Sequence, residues 1–216
     1  MFSICSILQV LGNRTMQVAA QQSFDFGETF SERPKNAERL FFAILLDAVT
    51  AHQVNRAGHR FVTAKGLAGR LHEPERLHIS LHHVADLPRL RSKPIYAAGL
   101  AAAAVSQRPF EVTLNVIKSF GGIPRRGLRR LQYPLILPAE SASLASFQAR
   151  LGTAMVGTGL RASGHVVPHI TLLYGDAPVA AEAIEPISFT VRDFVLVHSL
   201  RGLSRYELIG RWPLRA

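Results

Sequence analysis

The chain has 216 residues, of which 48% are hydrophobic, so it can bury the core of one domain or of two tightly joined lobes. This composition excludes a disordered or low-complexity protein. The only cysteine, Cys5, excludes an internal disulfide and a zinc site with several thiolates. No apolar run approaches the ~20 residues of a membrane span. We therefore expect a cytoplasmic protein without membrane contact, and a monomer.

The charge balance is basic, with 25 Lys and Arg against 15 Asp and Glu and a formal net charge of +10. Arginine dominates this excess, and its planar guanidinium binds phosphate through two parallel N–H groups. A basic surface favours polyanions such as RNA, DNA or nucleotides. The alternative is a general preference for arginine that has no functional meaning.

The pattern along the chain predicts a mobile N-terminal leader over residues 1–36 and one folded region over residues 37–216. The leader holds an apolar start, Met1–Val10, and a polar stretch of little periodicity, Gln17–Asn36. No basic segment precedes the apolar start, so a secretory signal is not indicated.

Hydrophobic periodicity and turn residues divide the folded region into helices and strands that are mixed but do not strictly alternate. The predicted strands are Arg39–Leu46, Arg76–Val84, Phe110–Ser119, Leu131–Leu137, His169–Leu173, Phe189–His198 and Arg205–Trp212. The predicted helices are Ala48 to about Arg70, Ile95–Ser106, Ser143–Thr158 and a short one, Ala177–Ala183. This order indicates an α+β fold. No glycine-rich loop follows the first strand, so neither a P-loop nor a dinucleotide-binding motif is supported.

Two short segments repeat one pattern of histidine, apolar residue, hydroxyl residue and apolar residue. The first begins at His78 and includes Ser80, and the second begins at His169 and includes Thr171. In a strand, residues two apart share a face, so each segment presents an imidazole and a hydroxyl side by side. A single copy is common by chance, but two copies in one folded region indicate a function.

Paired imidazoles suit phosphodiester chemistry. Opening a phosphodiester requires a base for the attacking group and an acid for the departing oxygen, and histidine can do either near neutral pH. The Ser80 and Thr171 hydroxyls can donate hydrogen bonds to the non-bridging oxygens. With acid and base both from protein, neither a metal nor another cofactor is expected. A metal pair of His78 and His82, which share strand parity, is the alternative.

The two motifs, His78-Ile-Ser80 and His169-Ile-Thr171, resemble those of the 2H phosphoesterases, specifically the 2′-5′ RNA ligase (LigT-like) and RNA 2′,3′-cyclic phosphodiesterase group. Arg39–Ile44 is similar to the opening strand of this family. The resemblance implies two pseudo-symmetric lobes, each a small antiparallel sheet backed by helices, that face a central groove. It also implies an enzyme that hydrolyses 2′,3′-cyclic phosphate ends of RNA or nucleotides to 2′-phosphomonoesters, with 2′-5′ RNA ligation as the reverse reaction.

The resemblance implies His78 as the acid and His169 as the base, and the opposite assignment stays open. The family's RNA-processing branch often carries an arginine soon after the second motif, where this chain has Leu173 and Tyr174. A different class of function also stays open, namely a basic RNA-binding module with the same fold and no useful turnover.

Four further residues are candidates for substrate binding. Tyr174 follows the second motif and can stack on a base, as can Phe42 in the first strand, for which core packing is the alternative. Arg126 and Arg130 belong to a basic Gly/Pro-containing loop that can capture phosphate, and the alternative is a solvated turn.

Overall fold

The computed structural model describes residues 38–124, 130–162, 167–200, 203 and 205–215. The predicted leader over residues 1–36 lies outside these ranges. Among the residues described, no helix is long and apolar enough to cross a membrane.

The described residues form nine strands, three α-helices and one short 3-10 helix, Pro74–Arg76. The strands are β1 (Glu38–Leu45), β2 (His78–Leu87), β3 (Phe110–Ser119), β4 (Ile123–Pro124), β5 (Leu131–Pro138), β6 (His169–Gly175), β7 (Glu182–Val191), β8 (Asp193–Leu200) and β9 (Arg205–Pro213). The helices are α1 (Ala48–Lys65), α2 (Ser92–Ala103) and α3 (Ala142–Gly157).

The strands form two antiparallel halves of four strands each, β7-β3-β5-β6 and β2-β1-β8-β9, with β4 paired to β5. The halves meet edge to edge where Ile79 of β2 pairs with Ile170 of β6. The predicted α+β fold with antiparallel sheets and helices is confirmed. The sequence did not indicate that the two sheets join into one continuous sheet.

Helix α1 shows how local sequence sets an element's ends. The Asp47 carboxylate accepts a hydrogen bond from the Thr50 backbone N–H at 3.0 Å and caps the first turn. The helix ends at Lys65 because Gly66 adopts the left-handed conformation, with φ of 61°. The predicted end near Arg70 is therefore too late by about one turn.

The segment before the C-terminal strands also differs from the prediction. No helix forms over Ala177–Ala183, and the strand predicted over Phe189–His198 is divided at Arg192 between β7 and β8. Strand β7 pairs with β3 along most of its length and buries alternate side chains, including Phe189 and Val191. This long-range pairing outweighs the local helix signal of Pro178.

The core contains a cluster of aromatic rings between the sheet and α3. Phe42 of β1 lies 5.9 Å from Phe194 and 6.1 Å from Trp212 between ring centroids, and Phe194 lies 5.0 Å from Phe147. The exposed fraction of Phe42 is 0%. This burial corrects the prediction that Phe42 binds substrate, because a ring without accessible surface cannot stack on a base.

We expect Phe42→Ala to lower the free energy of unfolding by about 3–5 kcal/mol, because it removes a buried ring and leaves a cavity. Tyr96→Ala is the matched control: Tyr96 is 69% exposed on α2, so its loss should change stability by less than about 0.5 kcal/mol. Urea unfolding measures both values. Equal stability of the two variants would contradict the core assignment.

Candidate active site

A groove with a volume of about 350 Å³ crosses the line where the two halves of the sheet meet. This volume lies in the range that binds small molecules of nucleotide size. Side chains from both halves line it, and they include Arg39, Phe41, His72, Arg76, His78, Ser80, His83, His169, Thr171, Tyr174, Ser199 and Tyr206.

The junction of β2 and β6 brings the two predicted motifs together. Because the strands are antiparallel and Ile79 pairs with Ile170, His78 lies across from Thr171, and Ser80 lies across from His169. Both isoleucines are fully buried on the opposite face. The four polar side chains therefore form a two-by-two array with approximate two-fold symmetry. The imidazoles occupy one diagonal, roughly 7–8 Å apart at this spacing.

Each imidazole is oriented by the same backbone hydrogen bond. His78 Nδ1 lies 2.7 Å from the carbonyl oxygen of Arg76, and His169 Nδ1 lies 2.7 Å from that of Val167. A carbonyl only accepts, so Nδ1 carries the proton in both rings. Nε2 of each neutral ring is then left as the basic nitrogen that a ligand in the groove can reach.

Aromatic rings hold the two imidazoles in place. The His78 ring lies 5.4 Å from Phe41 and 5.6 Å from Tyr206 between centroids. The His169 ring meets Phe120 edge to face at 4.7 Å. Each imidazole is thus fixed by one hydrogen bond and by packing, which limits its rotation.

A β-bulge at Leu81 changes which side chains of β2 enter the groove. Ser80 pairs with Ala43, whereas His82 pairs with the next residue back along β1, Phe42, so Leu81 has no opposite residue. An extra residue in a strand inverts the alternation of faces beyond it.

The bulge overturns the parity argument for His82. His82 is 5% exposed and its Nε2 lies 2.8 Å from the carbonyl oxygen of Gln148 on α3, which places its ring on the helix side of the sheet. The His83 ring is instead on the groove side. The alternative metal pair of His78 and His82 is therefore wrong, because the two rings are held on opposite faces.

The second half contains an equivalent bulge. Thr171 pairs with Ile136 and Leu173 pairs with Leu135, so Leu172 is the extra residue. Tyr174 consequently faces the groove, at the position that His83 takes in the first half. Its ring is 42% exposed and meets the His72 ring at 5.9 Å.

Burial sets the protonation of the two groove imidazoles. It lowers the pKa of His169 below the ordinary value of 6.5. Burial also lowers the pKa of His78 and outweighs the opposing effect of its backbone hydrogen bond, and the neighbouring His72, His169 and Arg76 lower it further. Both rings are therefore mainly neutral at pH 7 when the groove holds no anion.

One end of the groove contains a paired arginine. Arg39 donates through Nε and Nη2 to the two carboxylate oxygens of Asp86, each at 2.7 Å, and His83 Nε2 lies 3.1 Å from the same carboxylate. The Arg39 hydrogen bonds hold the pKa of Asp86 far below its usual range. Asp86 in turn balances the charge of Arg39.

The sequence did not identify Arg39, Arg76, His83 or Tyr206 as groove residues. Arg76 stands only two residues before His78, and this proximity in the sequence could have indicated a place in the groove. Tyr206 offers no such signal, since only the pairing of β1 with β8 and of β8 with β9 brings it to His78.

The predicted basic loop is only partly described. Arg130 is exposed immediately before β5 and does not line the groove, and Arg126 lies outside the described residues. The role of this loop in phosphate binding stays a prediction.

Comparison with known proteins agrees with this arrangement. A family model described as the 2′-5′ RNA ligase superfamily matches residues 50–203. The fold is similar to that of E. coli LigT in apo form, with a TM-score of 0.63 and 28% sequence identity over 84% of this chain and 99% of LigT. LigT complexed with 3′-AMP gives a TM-score of 0.59 and 26% identity over 84% of this chain and 99% of LigT.

The TT0787 protein of Thermus thermophilus shares the fold, with a TM-score of 0.61 and 22% identity over 82% of this chain and 98% of that protein. No curated protein matches the chain in sequence.

The lowered pKa of His78 predicts a pH-dependent stability. The folded pKa lies below the unfolded value near 6.5, so the unfolded chain binds more protons and the free energy of unfolding falls as the pH drops through about 6.5. One such proton contributes at most about 1.4 kcal/mol per pH unit. We expect His78→Gln, which cannot be protonated, to lose less stability than wild type between about pH 7.5 and pH 5.5. Urea unfolding at each pH measures this, and an identical slope for both proteins would contradict it.

Proposed function

The chain belongs to the 2′-5′ RNA ligase superfamily, and from this premise we propose that it is a metal-independent phosphodiesterase that hydrolyses 2′,3′-cyclic phosphate ends of RNA or nucleotides to 2′-phosphomonoesters. Membership in this superfamily and the similarity to LigT indicate an enzyme of the phosphodiesterase type. The observation that carries the finer proposal is the array of two imidazoles and two hydroxyls across the junction of β2 and β6.

The array can supply every proton transfer that the reaction needs. A neutral imidazole takes a proton from water through Nε2 as the water attacks phosphorus. A protonated imidazole on the other side of phosphorus gives its Nε2 proton to the leaving 3′-oxygen. The P–O3′ bond breaks, a P–O bond to water forms, and the phosphate stays on the 2′-oxygen.

The hydroxyls and the bound anion assist this transfer. Ser80 and Thr171 donate to the non-bridging oxygens, where negative charge accumulates. The negative phosphodiester also raises the pKa of both imidazoles on binding, which favours the one proton that the pair must hold.

The assignment of acid and base follows the family resemblance, with His78 as the acid and His169 as the base. The pseudo-symmetric array accommodates the opposite assignment too. The reverse reaction, in which a 2′-5′ linkage joins RNA ends, exchanges the two roles by microscopic reversibility.

The proposed substrate class rests on the size of the groove, the net charge of the chain and the similarity to LigT. The groove has the volume for a nucleotide, and the net charge of +10 favours a polyanion. E. coli LigT, to which this chain is similar, has been crystallised with 3′-AMP. These observations support RNA or a nucleotide, with Tyr174 as a surface for base stacking.

We expect His78→Ala and His169→Ala each to lower turnover of 2′,3′-cyclic AMP and of an RNA with a 2′,3′-cyclic phosphate end by at least ~100-fold, the usual effect of losing an acid or base. His59→Ala, an exposed histidine of α1, is the matched control and should keep full activity. Chromatography that separates 2′- from 3′-phosphates measures the products.

A chelator should leave this turnover unchanged, because protein side chains supply both acid and base. Near-normal turnover by either groove variant would contradict the two-histidine mechanism. Tight RNA binding by a wild-type protein that opens no cyclic phosphate would instead favour the RNA-binding module.

We also expect replacement of Arg126 and Arg130 by Gln to weaken RNA binding equally across sequences, because phosphate contacts carry no base information. With a single-stranded RNA, each lost contact should reduce the slope of log affinity against log salt by about 0.7. A cyclic mononucleotide should be affected less, having one phosphate. Unchanged affinity and slope in a salt titration would show that this loop is a solvated turn.

A further inference from the structure

The two arginines that line the groove differ in charge balance. Arg39 is neutralised by two hydrogen bonds to Asp86. Arg76 has no carboxylate within ion-pair distance among the residues that the structure describes. Arg76 is therefore the arginine whose charge is available to a bound anion.

The Arg76 side chain packs against an aromatic ring of the groove. Its guanidinium carbon lies 5.1 Å from the centroid of the Tyr206 ring, a cation–π arrangement. Its Nε is buried and has no hydrogen-bond acceptor among the residues that the structure describes. A donor removed from water without an acceptor costs free energy, which a ligand oxygen can recover after a small shift of the guanidinium.

The position of Arg76 breaks the two-fold symmetry of the groove. Arg76 and Val167 are equivalent residues, since each offers its carbonyl oxygen to the Nδ1 of a groove histidine. One carries a cation and the other an apolar side chain. The groove is therefore more positive at the His78 end than at the His169 end.

The cation lies to one side of the two histidines. Tyr206 contacts both the His78 ring and the guanidinium of Arg76. Tyr206 belongs to β9, and in the strand order β6-β2-β1-β8-β9 this strand lies on the side of β2 opposite to β6, which carries His169. An anion bound by Arg76 thus lies beyond His78, away from the position between the imidazoles.

We propose that Arg76 binds a second phosphate of the substrate, next to the phosphate that is hydrolysed, so that the enzyme prefers nucleotides carrying this extra phosphate to cyclic mononucleotides that lack it. The inference rests on the proposed function, because it places the reacting phosphate between His78 and His169. It adds a subsite for a phosphoryl group and an orientation for the substrate along the groove.

Calorimetry with two ligands that the enzyme cannot hydrolyse tests the subsite without requiring activity. We expect adenosine 3′,5′-bisphosphate to bind wild type about 10-fold or more tightly than 3′-AMP, the scale of a hydrogen-bonded charge pair. Arg76→Gln should remove this preference while leaving the affinity for 3′-AMP within about threefold. Arg192→Gln removes an exposed arginine that does not line the groove, and should keep the preference.

Arg76→Lys is a second variant that separates the loss of the charge from a folding defect. It keeps the positive charge and should therefore keep part of the preference for the bisphosphate. Equal binding of the two ligands by wild type, or an equal loss of both in Arg76→Gln, would overturn the inference. A failure of the proposed function is distinguishable, since it would show as absent turnover of cyclic phosphates whatever the ligand preference.

Discussion

The groove depends on one short backbone pairing. The two halves of the sheet meet where Ile79 pairs with Ile170, and both side chains are fully buried on the helix side. Because neighbouring residues in a strand point to opposite faces, anchoring these two isoleucines in the core directs the residues on either side of each into the groove. The hydrophobic effect that buries the isoleucines thereby positions His78 and His169, and a one-residue slip would exchange the two sets of side chains.

The backbone also determines which nitrogen of each imidazole is basic. The carbonyls of Arg76 and Val167 take the Nδ1 protons, so both Nε2 atoms are left for the groove. Burial favours the neutral form of both rings. In the mechanism that we propose, the charge of a bound phosphodiester raises the pKa of the rings and favours one proton on the pair. Under that proposal, substrate binding itself brings the pair of imidazoles to the protonation state that acid–base catalysis requires.

Several features followed from the sequence because they depend on local pattern. The strands that hold His78 and His169 have buried residues on one face and polar residues on the other, and this alternation can be read from the local sequence. The features that did not follow depend on partners distant in the chain. The bulge at Leu81 is visible only in the register of β1 against β2, and β7 exists because β3 supplies its hydrogen bonds.

Composition was also an incomplete guide to the charged residues. The excess of arginine indicated a polyanion, but it could not show that Asp86 neutralises Arg39 whereas Arg76 has no such partner among the described residues. An aromatic ring such as that of Phe42 can stack on a base. In the structure this ring contacts Phe194 and Trp212 and therefore packs in the core.

At each bulge, in β2 and in β6, the loss of one residue has a different consequence from the loss of a residue elsewhere in the strand. Shortening the Leu81 side chain would leave a cavity and cost stability in the ordinary way. Deleting the residue would make the pairing regular, because Ser80, His82 and His83 would follow one another opposite Ala43, Phe42 and Phe41 and would keep their present faces. The loss of one residue should therefore be tolerated better at Leu81 or Leu172 than at strand positions outside the bulges, where it would exchange the groove side chains with the core side chains.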